Sequence, residues 1–233
     1  MLSNPIAENV FGTLGTICWT VQLVPQIWKS WREKSTEGLS PWLVLLWGVS
    51  APFLGAYTLI LNLSVPLILE PHFFGSLCLV SWCQCQHYAH HRSWRTSTSM
   101  TLAIALLLAG FEAGLVFGLR LLFDAGSAPA RHATQFLGVF GSVLIGLGLV
   151  PQFVEIWRRR EVVGISKLLL ALDMLGGVCM DLSLAFKDRF NVVTGITYTL
   201  IVVLESGLVI AMLILNPRAE KRRQREESAR LEA

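Results

Sequence analysis

Leu23-Val24-Pro25-Gln26 recurs letter for letter as Leu149-Val150-Pro151-Gln152, 126 positions later. A chain that repeats itself folds as like units, so this repeat limits the architecture before composition does. With the same offset, residues 12–43 and 138–169 agree at 11 of 32 positions, Gly12, Gly15, Trp31, Arg32, Gly38, Ser40 and Leu43 among them. Each copy places Pro-Gln near the end of a long apolar run and follows it with a short basic loop. The next apolar run then opens with Gly-hydrophobic-Ser, as Gly38-Leu39-Ser40 and Gly164-Ile165-Ser166.

The runs themselves point to a bilayer. With 53% hydrophobic and 15% charged residues and a mean hydropathy of +0.56, the chain has too little polar surface to coat a soluble globule. Stretches near the roughly 20 residues that a spanning helix needs lie at 10–28, 40–62, 66–88, 100–122, 134–156, 166–186 and 192–215. The predicted fold is therefore an all-α membrane protein: seven transmembrane helices as two parallel three-helix repeats joined by a linker helix. Three is odd, so a connecting helix lets both triplets enter the membrane in the same direction, as repeats related by an axis along the membrane normal do. The expected divisions are residues 1–95 for the first repeat, 96–126 for the linker, 127–216 for the second repeat and 217–233 for a charged tail.

Fifteen of the 19 Lys and Arg residues, from Lys29, Arg32 and Lys34 through Arg158–Arg160 to Arg218–Arg230, fall on one predicted side; only Arg120, Arg131, Lys187 and Arg189 fall on the other. The positive-inside rule makes the rich side cytoplasmic, the carboxyl terminus included, and leaves the amino terminus lumenal or extracellular. The net charge of +3 reflects that bias and not a nucleic-acid surface. No basic segment precedes the first run and no small-residue cleavage site follows it, so the first helix is expected to insert as it stands.

Pro25 and Pro151 each remove a backbone donor, leaving the carbonyls of Val21 and Leu147 without their normal partners. In lipid that is costly unless a polar group is close, and Gln26 and Gln152 are expected to supply one. Two copies at equivalent places favour a paired hinge over a static kink. Ser40 before Pro41 reads as an N-cap followed by proline at the first helical position, and Gly38 and Gly164 as tight turns. The five cysteines fall within helices as packing residues. The dense end of the third helix, Cys83, Cys85, His87, His90 and His91, invites a metal reading, but Cys-x-Cys turns the pair to different faces and no second pair completes a site. No metal or other cofactor is expected.

The sixth predicted helix carries the costly residues. Asp173 lies near its centre, where insertion costs on the order of 2.5–3.5 kcal/mol, with Gly176 and Gly177 a turn further on to leave space for water or substrate. Asp181, two turns away, borders the same pathway or merely the interface. The seventh helix adds Asn191, Thr194, Thr197, Tyr198 and Glu205. Intramembrane acids of this kind mark solute or proton pathways. Glu112 of the linker helix is left without an assigned role.

The two Leu-Val-Pro-Gln copies, Lys34-Ser35-Thr36-Glu37-Gly38-Leu39-Ser40 and its shorter counterpart Gly164-Ile165-Ser166 resemble the PQ-loop repeat family of seven-helix transporters. That family includes lysosomal and vacuolar exporters of cystine and cationic amino acids and shares architecture with the SWEET sugar transporters. Leu172-Asp173-x-x-Gly176-Gly177 looks like the cystinosin-type motif, and this resemblance implies that Asp173 takes part in proton coupling. The expected protein is no enzyme but a proton-coupled secondary transporter of a small organic solute, an amino acid first, in a vacuolar or lysosomal membrane. Asp181, Glu205 and Tyr198 would line the pathway, and Pro25, Gln26, Pro151 and Gln152 would form the hinges. The alternatives are a receptor or adaptor that senses a ligand with the same bundle, and a SWEET-like facilitator. No phosphate-binding glycine loop suggests an ATP-driven pump. Monomer and homo-oligomer both remain open.

Overall fold

A computed structural model describes residues 4–63, 65–162, 164–186 and 192–231, and these are helical nearly throughout. In order they form α1 (Pro5–Val21), α2 (Leu23–Glu33), α3 (Pro41–Ile60), α4 (Val65–Tyr88), α5 (Trp94–Asp124), α6 (Ala128–Arg159), α7 (Lys167–Ala185) and α8 (Val192–Leu231). Asn191, Lys187 and Arg189 lie outside the described residues, as do the side chains of Thr194 and Thr197.

Six stretches among the described residues are long and apolar enough to cross a membrane, counting α1 and α2 as one. The third predicted span is the exception. α4 is 24 residues long and carries Glu70, His72, Gln84, Gln86 and His87 along its length. It packs between α3 and α5 and turns Ser81, Gln84 and Gln86 inward.

The two prolines act differently. The first helix is interrupted at the single residue Gln22, three residues before Pro25, although Gln22 keeps helical dihedrals and its backbone N–H donates to the Cys18 carbonyl, whereas α6 runs unbroken through Pro151. α3 likewise continues through Pro52, and α8 through Pro217, so the charged tail is an extension of the last helix.

The first helix of each repeat packs on the second helix of the other: α1 on α7, and α6 on α3. Small residues permit the approach. A side chain at Gly15 would strike Met180 and the Gly176 carbonyl, and one at Gly141 would strike Leu54. Leu23, Leu43, Trp47, Leu149, Leu169 and Leu170 are almost fully buried where these helices meet. α5 shows the opposite pattern, with Leu106, Leu107, Phe117 and Leu121 exposed, the outward apolar face of a helix in lipid.

The basic segments gather at one end of the bundle. Arg159 pairs with Glu37 and with Glu155, and Arg223 with Glu161. Arg120 lies at the other end, donating to the Leu59 carbonyl beside Asp124.

Candidate functional site

At the basic end the Pro-Gln glutamines do not serve their own helices. Gln26 donates through Nε2 to the Gly164 carbonyl at 3.0 Å, and its Oε1 accepts the Ser166 backbone N–H at 2.6 Å. Gln152 does the same to the first repeat, donating to the Gly38 carbonyl and accepting the Ser40 N–H, both at 2.8 Å. Both glutamines are fully buried. The expectation that each amide shields its own proline-weakened turn is therefore corrected. The buried loop of the facing repeat has backbone groups with no helical partner, and these must be satisfied.

The two Gly-x-Ser segments touch. A Cβ on Gly164 would lie 1.9 Å from the Leu39 nitrogen and 2.0 Å from the Gly38 carbonyl carbon. Gly38 is a turn glycine, with φ of +80°. Gly164 is not; close backbone approach, not a left-handed turn, requires it. Ser40 and Ser166 both occupy N-cap positions, but only Ser166 caps with its side chain, accepting the Leu169 N–H.

Midway along the bundle a polar cluster joins α1, α7 and α8. Asp173 is 4% exposed and Glu205 0%, and their carboxyl groups face one another. That contact is a hydrogen bond only when one of them carries a proton. As two carboxylates they repel, and neither Glu205 oxygen then has a donor. Neither acid forms an ion pair among the described residues. Gln22, at the break between α1 and α2, sets its amide against Asp173; with the nitrogen facing the acid it donates to Oδ1 at 3.0 Å and Oδ2 at 3.2 Å. Trp19 Nε1 donates to the Asp173 backbone carbonyl at 3.3 Å, and Tyr198 packs edge-on against Trp19 at 5.4 Å.

Asp173 and Glu205 are thus brought together; Tyr198 reaches Asp173 only through Trp19, and Asp181 stands apart from the pair. It lies toward the other end of α7 and accepts from Thr199 at 3.2 Å in an exposed position. The space beside Gly176 and Gly177 is not open to solvent, contrary to expectation. Trp19 fills the first and Val202 the second, because both glycines sit where helices pack.

The cluster breaks the repeat. Shifted by 126 positions, Asp173 falls on Trp47 and Gln22 on Gly148. In that half Trp47 fills the space over Gly148 and donates through Nε1 to the Ile145 carbonyl at 3.0 Å. Both interfaces between the repeats hold an indole, but only the one with Trp19 also holds two acids and an amide.

A second polar contact joins the linker helix to the first repeat. Glu112 of α5 reaches past Gly55 of α3 to His72 of α4, Oε1 to Nε2 at 2.8 Å, while His72 Nδ1 meets the Ile68 carbonyl at 2.6 Å. Sequence reading passed over His72, Gln22 and Trp19. The last two stand where the repeat is imperfect, and a search for matching positions skips them.

The model of the PQ loop repeat matches residues 7–67 and again residues 133–193. This chain belongs to the PQ-loop repeat family. It is 36% identical over 216 residues to an uncharacterised protein of Schizosaccharomyces pombe, covering 91% of this chain and 74% of that one. An uncharacterised membrane protein of Saccharomyces cerevisiae is 30% identical over 211 residues, 89% of this chain and 66% of that protein. The vacuolar histidine transporter YPQ3 of the same yeast is 33% identical over 85 residues, 35% of this chain and 29% of its own length. Both Pro-Gln pairs fall inside the matched repeats, as do Asp173 and Trp47, whereas Glu205 and Glu112 fall outside them.

Proposed function

We propose that this PQ-loop protein is a proton-coupled secondary transporter of a small organic solute, an amino acid first among candidates, working by alternating access. Its seven spans, α4 included, would form two parallel three-helix repeats around α5, with the basic end cytoplasmic. The observation that carries the reading is the Asp173–Glu205 pair. Two facing acids shielded from water, with no ion pair among the described residues, are most stable with one proton between them. They sit next to the break at Gln22, where the first helix can bend.

Proton and bend are coupled through Gln22. Its amide nitrogen favours a charged Asp173. A proton on Asp173 itself, beyond the one the pair already shares, removes that preference and frees Gln22, and with it the junction of α1 and α2. At the basic end the reciprocal glutamine bonds close the bundle, so movement at the junction would be felt by Gln26, one turn along. A facilitator has no use for a costly acid pair placed on only one of two equivalent interfaces, which supports coupling. The amino-acid class and a vacuolar membrane are suggested by the relationship to YPQ3.

The test is uptake by proteoliposomes holding the purified full-length protein, screened over amino acids, histidine included, and sugars, with and without a pH gradient. Accumulation that collapses with the gradient is the expected result. Equilibration without accumulation, indifferent to the gradient, would overturn coupling.

A further inference from the structure

At the basic end, on the outer surface and away from the acid pair, α2, α7 and α8 enclose a cavity of about 680 Å³. Val24, Pro25, Trp28, Leu168 and Met212 give it an apolar wall, while Lys29, Lys167, Ser166 and Asn216 supply its polar groups. Trp28, Val24 and Leu168 are exposed, so the cavity opens on the face that a bilayer would cover. Trp31, Trp42 and Trp157 are exposed near the same end. An aromatic belt of this kind marks the headgroup level of a membrane.

The electrostatics are one-sided. Lys29 and Lys167 feel one another's charge, with Glu33 opposing from one turn along α2. Lys29 Nζ also donates to the Ile165 carbonyl at 3.4 Å. Lys167 forms no ion pair among the described residues, and it is the first residue of α7, whose amino-terminal dipole adds positive potential. Two ammonium groups and a helix start therefore share one side of a cavity whose other wall is apolar.

We propose that this cavity binds one anionic phospholipid, its phosphate between Lys29 and Lys167 and an acyl chain along Val24, Trp28, Leu168 and Met212. A soluble phosphate would satisfy the lysines but leave the apolar wall uncovered. A neutral lipid would cover the wall but bring no net negative charge to the lysine side. Only a ligand with both parts matches the whole cavity. Its inner edge is the Ile165-Ser166 segment that Gln26 holds, so the lipid would brace the same end of the bundle that the glutamines close.

Native mass spectrometry of the delipidated full-length protein, titrated with phosphatidylglycerol and separately with phosphatidylcholine, tests this. Wild type is expected to retain one phosphatidylglycerol in preference to phosphatidylcholine, and glycerol phosphate at the same concentration should not displace it. Lys29→Gln with Lys167→Gln should weaken retention ~30-fold, the usual gain from two basic residues at an anionic lipid surface. Met212→Trp keeps both lysines but fills the apolar part, and it should also lose the lipid. Arg222→Gln with Arg225→Gln, which removes charge from the tail alone, should not. Equal retention of both lipids by wild type overturns the proposal without any variant. So does displacement by glycerol phosphate, which would mean an ion site, or undiminished binding by Met212→Trp. None of these outcomes depends on transport, so the proposed function can fail independently.

Discussion

Gln26 of the first repeat accepts the backbone N–H of Ser166 in the second, and Gln152 of the second accepts that of Ser40 in the first. The bonds are equivalent under the repeat and all buried. Removing either glutamine leaves one N–H and one carbonyl without partners, at about 1–3 kcal/mol for each unsatisfied group. Gln26→Ala or Gln152→Ala should lower thermal stability and loosen the basic end. Leu39→Cys in a cysteine-free background reports the loosening, since Leu39 is buried. Its thiol should react faster with a membrane-impermeant maleimide when either glutamine is gone. Unchanged reactivity in the double alanine variant would mean the loops hold together without these bonds.

Gly164→Ala should be more damaging than its size suggests. The added methyl would meet backbone atoms of Gly38 and Leu39, which cannot rotate away as a side chain can. Overpacking of this kind costs about 1–3 kcal/mol or more. Gly146→Ala is the control, because nothing lies within 4 Å of a Cβ there. Thermal unfolding of both variants should show a large loss for the first and little or none for the second.

The acid pair makes a prediction about non-additivity. If Asp173 and Glu205 hold one proton between them, Asp173→Asn and Glu205→Gln each remove the unit's ability to gain and lose it. Either substitution should abolish gradient-driven accumulation, and the double variant should lose no more than one does. Both amides keep the shape and can hydrogen-bond, so expression and insertion should persist. Additive partial losses would show two independent sites.

Much of this was legible in the residues, and the failures share a cause. Repetition announced two like units, and the charge distribution announced which segments share an end; the Arg159–Glu37 and Arg223–Glu161 pairs follow that division. Asp173 drew attention because an acid inside an apolar run is expensive. What repetition could not give was the partner across the interface. The repeated spacing of Pro25-Gln26 and Gly38-Leu39-Ser40 looked like a local unit, yet each glutamine serves the loop of the other repeat, 112 to 140 residues away. Gln22 was hidden for the opposite reason. Its counterpart is Gly148, so comparing copies discards the residue that touches Asp173. Pro25 and Pro151 looked equivalent as well, but only the first lies beside a break, which falls at that same unmatched glutamine.

His72 Nδ1 meets the Ile68 carbonyl, which can only accept, so that nitrogen carries a hydrogen. Nε2 then bonds to Glu112 in one of two ways: as the N–H of an imidazolium facing a carboxylate, or as a bare nitrogen accepting from a protonated carboxyl. Either way one proton sits between them, and it ties α5 to α4 across Gly55. Glu112→Gln preserves the neutral version, with the amide N–H donating to Nε2, and should fold and dock normally. His72→Ala removes the partner and leaves a half-buried acid facing the gap, at about 1–3 kcal/mol. Gly55→Ala should act like it, since the new methyl would lie 2.3 Å from the Glu112 oxygen and push it off His72. A cysteine pair placed across α4 and α5 measures docking by its rate of oxidative cross-linking. That rate should fall for His72→Ala and Gly55→Ala but not for Glu112→Gln. A fall for Glu112→Gln equal to the other two would show that the contact needs full charges and not a shared proton.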